Sequence, residues 1–415
     1  MFIYINKIFK SKFIRNSLLY TVGSMMTPIT GFILLPIYTV YLSPAEYGVM
    51  TTVQTLVGML QLFLLLSLHG AVTRFYYDFL NQPEKQKEYL GSIFIFVCIF
   101  STTIATILLF FSNSIGLIFF KNIPINPYYF YLIGLSWVTA LLELPMALFR
   151  AQEKAGIFIL INTIKALGIM GLTIYFIVGR ELGAESALIS QLLVTFAIIL
   201  LTFSMQIRYL KFSLNRKFVM GSLLFSLPLL PHVASGWIIS SSDRVILEKF
   251  VDMADLGIYA LATQVALVLN LFYSSVNNAL VPRYTMLRKE GNEVKANRLL
   301  KLFSYIVLSF GVLSIPVAMF SIKLFTSSQY DRAIALIPVL LIGQIIKGYY
   351  FIPVSKLFYA KKTKAIATSS TMAAIINILI NIMAIPFIGI YGSIMSSVIS
   401  ELLRLMFIYG ASKRI

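Results

Sequence analysis

The chain has 415 residues, of which 59% are hydrophobic and only 12% are charged. Soluble domains are about 45–50% apolar and about 25% charged, so this composition excludes a soluble protein. It also excludes a disordered chain, a coiled coil and a secreted disulfide scaffold. Lys and Arg number 34 against 16 Asp and Glu, a net charge of +18, which is typical either of nucleic-acid binding or of cations concentrated on one side of a membrane.

Continuous apolar stretches recur along the whole chain. Each is about twenty residues long, the length that a transmembrane helix needs and about twice that of a barrel strand. The only cysteine, Cys98, falls in the third stretch and has no second cysteine to pair with. We therefore predict an all-α polytopic membrane protein with twelve spans, near residues 17–41, 48–73, 89–112, 127–149, 156–179, 184–207, 218–241, 256–280, 300–325, 333–358, 365–387 and 390–410.

The Lys and Arg residues are unevenly divided between the two sides of the membrane. On the side that holds the N-terminus, the loops and both termini carry 24 of them, and the loops of the other side carry six. The positive-inside rule places the richer side in the cytoplasm, so both termini are predicted to be cytoplasmic. Because topology accounts for most of the net charge, we do not expect nucleic acid as a partner.

The sequence repeats at a fixed offset of 209 residues. The loop after the first span, 41–49, matches the loop after the seventh, 250–258, and the offset pairs Gly48 with Gly257 and Arg74 with Arg283. We predict two pseudo-symmetric six-helix lobes around a central cleft near the membrane midplane. This plan favours an alternating-access transporter, and a duplicated membrane scaffold without transport is the alternative. The predicted lobes are residues 1–210 and 211–415.

Several segments along the chain resemble the signatures of one known family. They resemble, in order, those of the polysaccharide-biosynthesis flippases, the Wzx-like oligosaccharide flippase branch of the multidrug/oligosaccharidyl-lipid/polysaccharide exporter superfamily. The segments are Leu35-Pro36 with Tyr41 to Gly48, His69 to Tyr77, Phe149 to Lys154, and Asp243 to Leu247 with Leu256 to Tyr259.

The resemblance implies a flippase of a bacterial inner membrane. Its substrate would be an undecaprenyl-diphosphate-linked oligosaccharide repeat unit, moved from the cytoplasmic to the outer leaflet for O-antigen, capsule or exopolysaccharide synthesis. It implies coupling to an ion gradient, and the sequence leaves the choice between proton and sodium open. The implied partners are this lipid-linked oligosaccharide, membrane lipids and the machinery of polymer synthesis.

Two lysines lie deep inside predicted spans. Lys165 is nine residues past Gly156, about 14 Å into the fifth span, and Lys347 is eleven residues before Phe358, about 16 Å into the tenth. Charge at such depth is costly unless it faces a cavity or a partner, and snorkelling to the interface is the alternative. We predict that both lysines bind the substrate diphosphate as point charges.

Arg74 and Arg283, each at the predicted cytoplasmic end of its span, form a pseudo-symmetric pair. A guanidinium can hold phosphate oxygens with two hydrogen bonds, so we predict that this pair captures the diphosphate at the cytoplasmic mouth. The positive-inside rule also places arginines at such positions without any binding role.

Other polar residues inside spans are candidates for ion coupling or gating. Glu143 is a candidate proton or sodium site, with a structural salt bridge to Lys165 as the alternative. Glu401 and Arg404 are three residues apart on one helix face, which favours pairing with each other. His232 follows Pro228 and Pro231, which predict a break in the seventh span, and it is a candidate proton sensor or a core polar residue.

Other functions are less consistent with the sequence. A cation-coupled multidrug exporter of the same superfamily is the nearest alternative, but a cleft rich in Lys and Arg would repel cationic drugs. A membrane polysaccharide polymerase or ligase needs a sizeable outer loop, and the predicted outer loops are short. The sequence has no P-loop, no nucleophile motif and no metal-spaced His/Cys set, so we expect neither an enzyme nor a metal or other cofactor.

Overall fold

The structure, a computed structural model, describes residues 12–413, with side chains described at Asn16 and from Leu19 onward. Of the cations in the tally above, Lys7, Lys10 and Arg414 lie outside the described residues, and the side chains of Lys12 and Arg15 are not described. All regular secondary structure within residues 12–413 is helical.

The predicted all-α class and the twelve spans are confirmed. Twelve of the described helical segments are long and apolar enough to cross a membrane. Spans 1 to 12 are Leu19–Tyr41, Pro44–Leu65, Pro83–Phe110, Ile125–Ala151, Ala155–Gly179, Glu185–Tyr209, Arg216–Phe250, Met253–Lys289, Glu293–Phe325, Arg332–Tyr359, Thr363–Ile388 and Ile390–Ser412.

Span 2 is shorter than the sequence predicts. Its helix ends at Leu65, and Leu66 and Ser67 both have positive φ angles, 51° and 56°. Side chains with a Cβ rarely adopt this left-handed conformation. A separate short helix, Leu68–Phe75, follows. The apolar stretch predicted as one span over 48–73 is therefore two helices joined by a strained break.

Span 7 consists of two helices, as the proline pair predicts. Arg216–Ser226 is helical, Leu227–Leu229 forms one 3₁₀ turn, and the helix resumes over Leu230–Phe250. Pro228 lies in that turn. Because proline has no backbone N–H, it cannot donate the regular α-helical hydrogen bond at this position. The resumed helix ends nine residues beyond the predicted end at residue 241. The helix of span 1, by contrast, continues through Pro28 and Pro36.

The chain forms two compact units. The first unit comprises residues 1–37 and 53–234, and the second comprises residues 38–52 and 235–415. The segment 38–52 thus belongs with the C-terminal spans, and 211–234 with the N-terminal ones. The six-helix lobes expected from the repeat, 1–210 and 211–415, stay a prediction.

Span 4 is the central helix of the first unit. It packs against spans 3 and 6 and the short helix Leu68–Phe75. In its most apolar 18-residue stretch, 72% of the residues are buried. The corresponding window of span 3 is only 28% buried, which leaves most of that helix facing outward. In a membrane protein such exposed apolar surface contacts lipid.

The beginning of span 7 packs within the first unit. Phe225 makes an edge contact with Phe75, and Ser222 donates a hydrogen bond of 3.2 Å to the hydroxyl of Tyr89 on span 3. The preceding loop is tied to span 3 as well, because Lys211 N–H donates to Lys87 O at 3.0 Å and the Asn215 amide donates to Glu88 Oε1 at 2.8 Å.

Span 8 has the central position in the second unit. It packs against spans 9 and 10, span 12 packs against spans 10 and 11, and 61% of the most apolar window of span 8 is buried. The segment 38–52 joins this unit through Tyr330, whose buried hydroxyl donates to Leu42 O at 3.0 Å.

The repeat-related glycines Gly48 and Gly257 meet inside the second unit. A Cβ added to Gly48 would clash with Met253 O, and one added to Gly257 would clash with Pro44 O. Each added Cβ would also lie 3.0 Å from the backbone nitrogen of the other glycine. Because Met253 is Pro44 shifted by 209 residues, the contact is reciprocal. Only glycine permits these two helix beginnings to cross so closely.

We expect Gly257→Ala to destabilise the protein, because the new methyl group would overlap a backbone oxygen that cannot move away independently. Overpacking of this kind costs about 1–3 kcal/mol. The measurement is thermal unfolding of the purified protein in detergent. Gly410→Ala, with no atom within 4 Å of the added Cβ, is the matched control and should melt at or above the wild-type temperature. Equal melting temperatures for both variants would contradict the crossing.

Candidate functional site

The eight residues predicted from the sequence as site residues are divided equally between the two units. The first unit contains Arg74, Glu143, Lys165 and His232, and the second contains Arg283, Lys347, Glu401 and Arg404.

Glu143 is the centre of a charged cluster in the first unit. It is half-exposed on span 4, and Arg150, two helical turns further along the same face, reaches back to place Nη2 3.7 Å from Glu143 Oε2. Lys165, half-buried on span 5, is not within ion-pair distance of a carboxylate among the described residues, but it interacts electrostatically with Glu143. The partner at ion-pair distance is therefore Arg150, not the Lys165 that the alternative interpretation of Glu143 names.

An aromatic ring supports the arginine of this cluster. The Arg150 guanidinium lies 5.5 Å from the ring centroid of Phe158 on span 5, a cation–π contact. Phe158 itself belongs to a buried apolar cluster with Leu142, Met146 and Phe149. The guanidinium therefore has a fixed neighbour that does not depend on Glu143.

His69 adjoins the same cluster from the short helix Leu68–Phe75. It interacts electrostatically with Glu143 and Arg150, and its buried Nδ1 has no hydrogen-bond partner among the described residues. The left-handed break at Leu66–Ser67 directly precedes it and sets the direction in which this short helix leaves span 2. Strained backbone of this kind is concentrated at functional sites. Sequence reasoning assigned His69 no role.

Arg404 is the centre of a second charged cluster, in the second unit. Its Nη1 lies 3.4 Å from Glu401 Oε2 one turn earlier on span 12, which is the pairing expected from the sequence. Its Nη2 donates to Ser370 Oγ on span 11 at 3.0 Å, and its guanidinium lies 3.8 Å from the ring centroid of Tyr350 on span 10. Three spans thus hold one arginine that is only 15% exposed.

Lys347 lies near the middle of span 10, twelve residues and about 18 Å before the helix end at Tyr359. It is half-buried, and Glu401 and Arg404 are the charged groups that act on it. Like Lys165, it is not within ion-pair distance of a carboxylate among the described residues.

Each unit therefore contains a set of one lysine, one glutamate and one arginine. The lysines, the glutamates and Arg404 lie within their spans, whereas Arg150 lies in the last turn of span 4. We name these sets the first triad (Lys165, Glu143, Arg150) and the second triad (Lys347, Glu401, Arg404). Each has two cations and one carboxylate. The offset of 209 residues does not relate them, since it places Glu143 on Ile352 and Lys165 on Ala374.

The remaining predicted site residues lie outside both triads. Arg74 is exposed and paired with Asp78, Nη1 to Oδ1 at 2.5 Å. Arg283 is exposed near the end of span 8, and His232 is exposed just after the 3₁₀ turn of span 7. Their predicted roles stay predictions.

A buried carboxylate network in the second unit was missed by sequence reasoning. Asp243 on span 7 is 5% exposed and accepts hydrogen bonds from the Tyr259 hydroxyl on span 8 and from Arg244 N–H at 2.8 Å. Ser393 Oγ on span 12 lies 3.2 Å from Asp243 Oδ2. The apolar pattern predicts that span 7 ends at residue 241, which would put Asp243 in a loop. The helical continuation to Phe250 puts it inside the membrane-spanning segment.

Buried amides extend this polar region along spans 11 and 12. Asn377 donates to Ser396 Oγ at 3.2 Å and to Ser400 Oγ at 3.1 Å, and Asn381 donates to Asn377 Oδ1 at 3.1 Å. Asn381 Oδ1 is buried without a hydrogen-bond partner among the described residues. Within residues 12–413, no three His, Cys, Asp or Glu side chains are grouped as a metal site would require.

Comparison with known proteins identifies the family. A family model described as polysaccharide biosynthesis protein matches residues 13–288 of the chain, well over half of it. The chain belongs to this family.

Two curated relatives of the chain come from Haemophilus influenzae. One, named Lsg locus putative protein 1, is 25% identical over 403 residues that cover 92% of this chain and 96% of the relative. The other, named an uncharacterized membrane protein, is 23% identical over 403 residues, 92% of this chain and 94% of that protein.

Solved transporters share the fold of this family member. An inward-facing multidrug resistance MATE family transporter of the MOP superfamily superimposes with a TM-score of 0.71 and 13% identity, over 95% of this chain and 94% of that one. The lipid II flippase MurJ, in an inward closed conformation, gives a TM-score of 0.70 with 15% identity, over 95% and 87% of the two chains. At such identities the likeness concerns the fold alone.

We expect Tyr259→Phe to lower the melting temperature, because Asp243 would lose a buried hydrogen-bond donor. Leaving a buried polar group unsatisfied costs about 1–3 kcal/mol, and more for a charged group. Thermal unfolding in detergent measures the change. Tyr391→Phe removes a hydroxyl from a residue that is 60% exposed and serves as the control. A Tyr259→Phe variant as stable as this control would contradict the role of the network.

Proposed function

We propose that this membrane protein is a flippase for a lipid-linked oligosaccharide. Its substrate is an undecaprenyl-diphosphate-linked repeat unit, which it moves from the cytoplasmic to the outer leaflet of a bacterial inner membrane by alternating access. Membership of the polysaccharide biosynthesis family supports this class of function. The MurJ and MATE folds support a transporter.

The observation that carries the proposal is the pair of cationic triads. A lysine or arginine at the centre of a span costs about 2.5–3.5 kcal/mol on insertion scales, so it is rare without a functional reason. Lys165 and Lys347 lie deep in their spans, and Arg404 lies within span 12, while Arg150 reaches Glu143 from the last turn of span 4. Each unit thus has two cations beside a single carboxylate. The excess positive charge suits an anionic head group and disfavours the cationic aromatic compounds that a multidrug exporter would carry.

The chemistry of the substrate explains why cations are needed at this depth. A lipid-linked oligosaccharide has an apolar tail that can remain in the hydrocarbon, while its diphosphate and sugars cannot. Lys165 and Lys347 can follow a moving phosphate because an ammonium group imposes no fixed geometry. The planar guanidinium groups of Arg150 and Arg404 can donate two hydrogen bonds to phosphate oxygens in a defined direction.

Orientation and ion coupling complete the proposal. The bias of 24 cations to six supports cytoplasmic termini, with the head group meeting the richer side before transport. Asp243 joins Glu143, Glu401 and His232 as a candidate to take up the coupling proton or sodium ion, because a buried intramembrane carboxylate is expensive to keep without such a role.

We expect Lys165→Ala and Lys347→Ala each to abolish or strongly reduce the surface polysaccharide of cells in which they replace the wild-type gene. Lys→Arg at either position should retain more activity, because it keeps the charge. Lys323→Ala is the control, since that lysine is exposed at a span end and pairs with Asp331. The measurements are surface polymer per cell and protein level in the membrane.

Normal polymer in both lysine variants would contradict the proposed substrate role. Disruption of the gene should likewise remove one surface polysaccharide. Unchanged polymer together with new resistance to cationic dyes on overexpression would support the exporter instead. Glycan transfer by the purified protein would support the polymerase or ligase.

A further inference from the structure

The two triads share an arrangement that goes beyond holding cations. In each, the carboxylate contacts an arginine and acts electrostatically on a lysine at longer range. In each, an aromatic side chain from another span supports the arginine, Phe158 for Arg150 and Tyr350 for Arg404. Because sequence symmetry does not relate the two triads, the shared arrangement calls for a physical explanation.

The ion pairs inside the triads are loose. Glu143 and Arg150 are 3.7 Å apart, and Glu401 and Arg404 are 3.4 Å apart. Charge-assisted hydrogen bonds are normally about 2.7–2.9 Å long. Ion pairs at span ends of this chain are shorter, with Lys323–Asp331 and Arg332–Asp255 both at 2.8 Å. The carboxylates therefore balance charge in the triads without being locked to one partner.

Arg404 also has contacts that do not involve its carboxylate. Arg404 is held by Ser370 and stacked on Tyr350, and its buried Nε has no hydrogen-bond partner among the described residues. A guanidinium held in this way has donors to spare for an incoming anion. If the Glu401 carboxylate moves away, these contacts keep the Arg404 guanidinium oriented.

We propose that Glu143 and Glu401 are internal counter-ions that the substrate diphosphate displaces. In the empty protein each carboxylate offsets one of the two positive charges of its triad, so that both cations are not left uncompensated in a medium of low dielectric constant. A diphosphate esterified at both ends carries one negative charge on each phosphate, so it can neutralise an arginine and a lysine together. This inference rests on the proposed function and assigns the carboxylates a competing role within that site.

Displacement has a functional advantage over permanent binding. A diphosphate held by two buried cations with no competitor would leave slowly, because each cation would be left exposed to the hydrocarbon on release. A carboxylate that returns to the cations as the diphosphate departs removes this penalty. A purely structural glutamate would predict the opposite effect of neutralisation, since its removal would disturb the cations and weaken anion binding.

The test is the affinity of the full-length protein, purified in nanodiscs of phosphatidylcholine, for two probes. One is inorganic pyrophosphate, and the other is a short-chain prenyl diphosphate N-acetylglucosamine. We expect Glu143→Gln and Glu401→Gln each to tighten binding of the prenyl diphosphate sugar by about tenfold. A parallel gain with pyrophosphate would show that the diphosphate itself is recognised, and a gain with the prenyl probe alone would show recognition of the esterified lipid form.

Glu290→Gln is the matched control, because it removes the same charge from an exposed residue beyond the end of span 8. Its affinities should equal those of the wild type. Unchanged or weakened binding in both triad variants would overturn the counter-ion role. A wild-type protein that binds neither probe would instead contradict the proposed function, so the two failures are distinguishable.

Folding is monitored by thermal unfolding of each variant. Glu401 is only 7% exposed, so Glu401→Gln is the variant more prone to lose stability. Glu143 is 35% exposed, and Glu143→Gln carries the same test in the first unit if the other variant unfolds.

Discussion

A charge in the middle of a bilayer persists only where a counter-ion, aligned polar groups or water replace its lost hydration. This constraint organises the polar interior of the protein. Glu143 and Glu401 stand beside cations, and Asp243 accepts hydrogen bonds from the Tyr259 hydroxyl and the Arg244 N–H. The surrounding helices are apolar on their outer faces, and their packing decides which of these groups meet.

Much of the fold follows from the sequence because spans are uninterrupted apolar stretches bounded by charge. The same signal misleads where a charge is buried. Span 7 is predicted to end at residue 241, just before Asp243, yet Asp243 lies inside the helix. Lys165 and Lys347 were found because they are surrounded by apolar residues on both sides. Arg150 was read as a loop residue, since nothing in its position reveals that it reaches two turns back to Glu143.

Irregular backbone is a second feature that the sequence predicts only in part. The break at Leu66–Ser67 contains neither glycine nor proline, so no residue type predicts it. Pro228, by contrast, predicts the 3₁₀ turn of span 7. At membrane depth such breaks are tolerated only where protein or water satisfies the freed backbone groups. The break at Leu66–Ser67, which has no sequence signal, lies just before His69. His69 adjoins the Glu143 cluster, and the sequence does not predict a role for it.

The reciprocal contact of Gly48 and Gly257 constrains both copies of the repeated segment at once. A side chain at either glycine would meet the backbone of the other helix beginning, so neither position can change while the crossing remains. The residues beside the two glycines are free of this constraint. Glu46 bonds to Ser43 in its own turn, while its counterpart Asp255 pairs with Arg332.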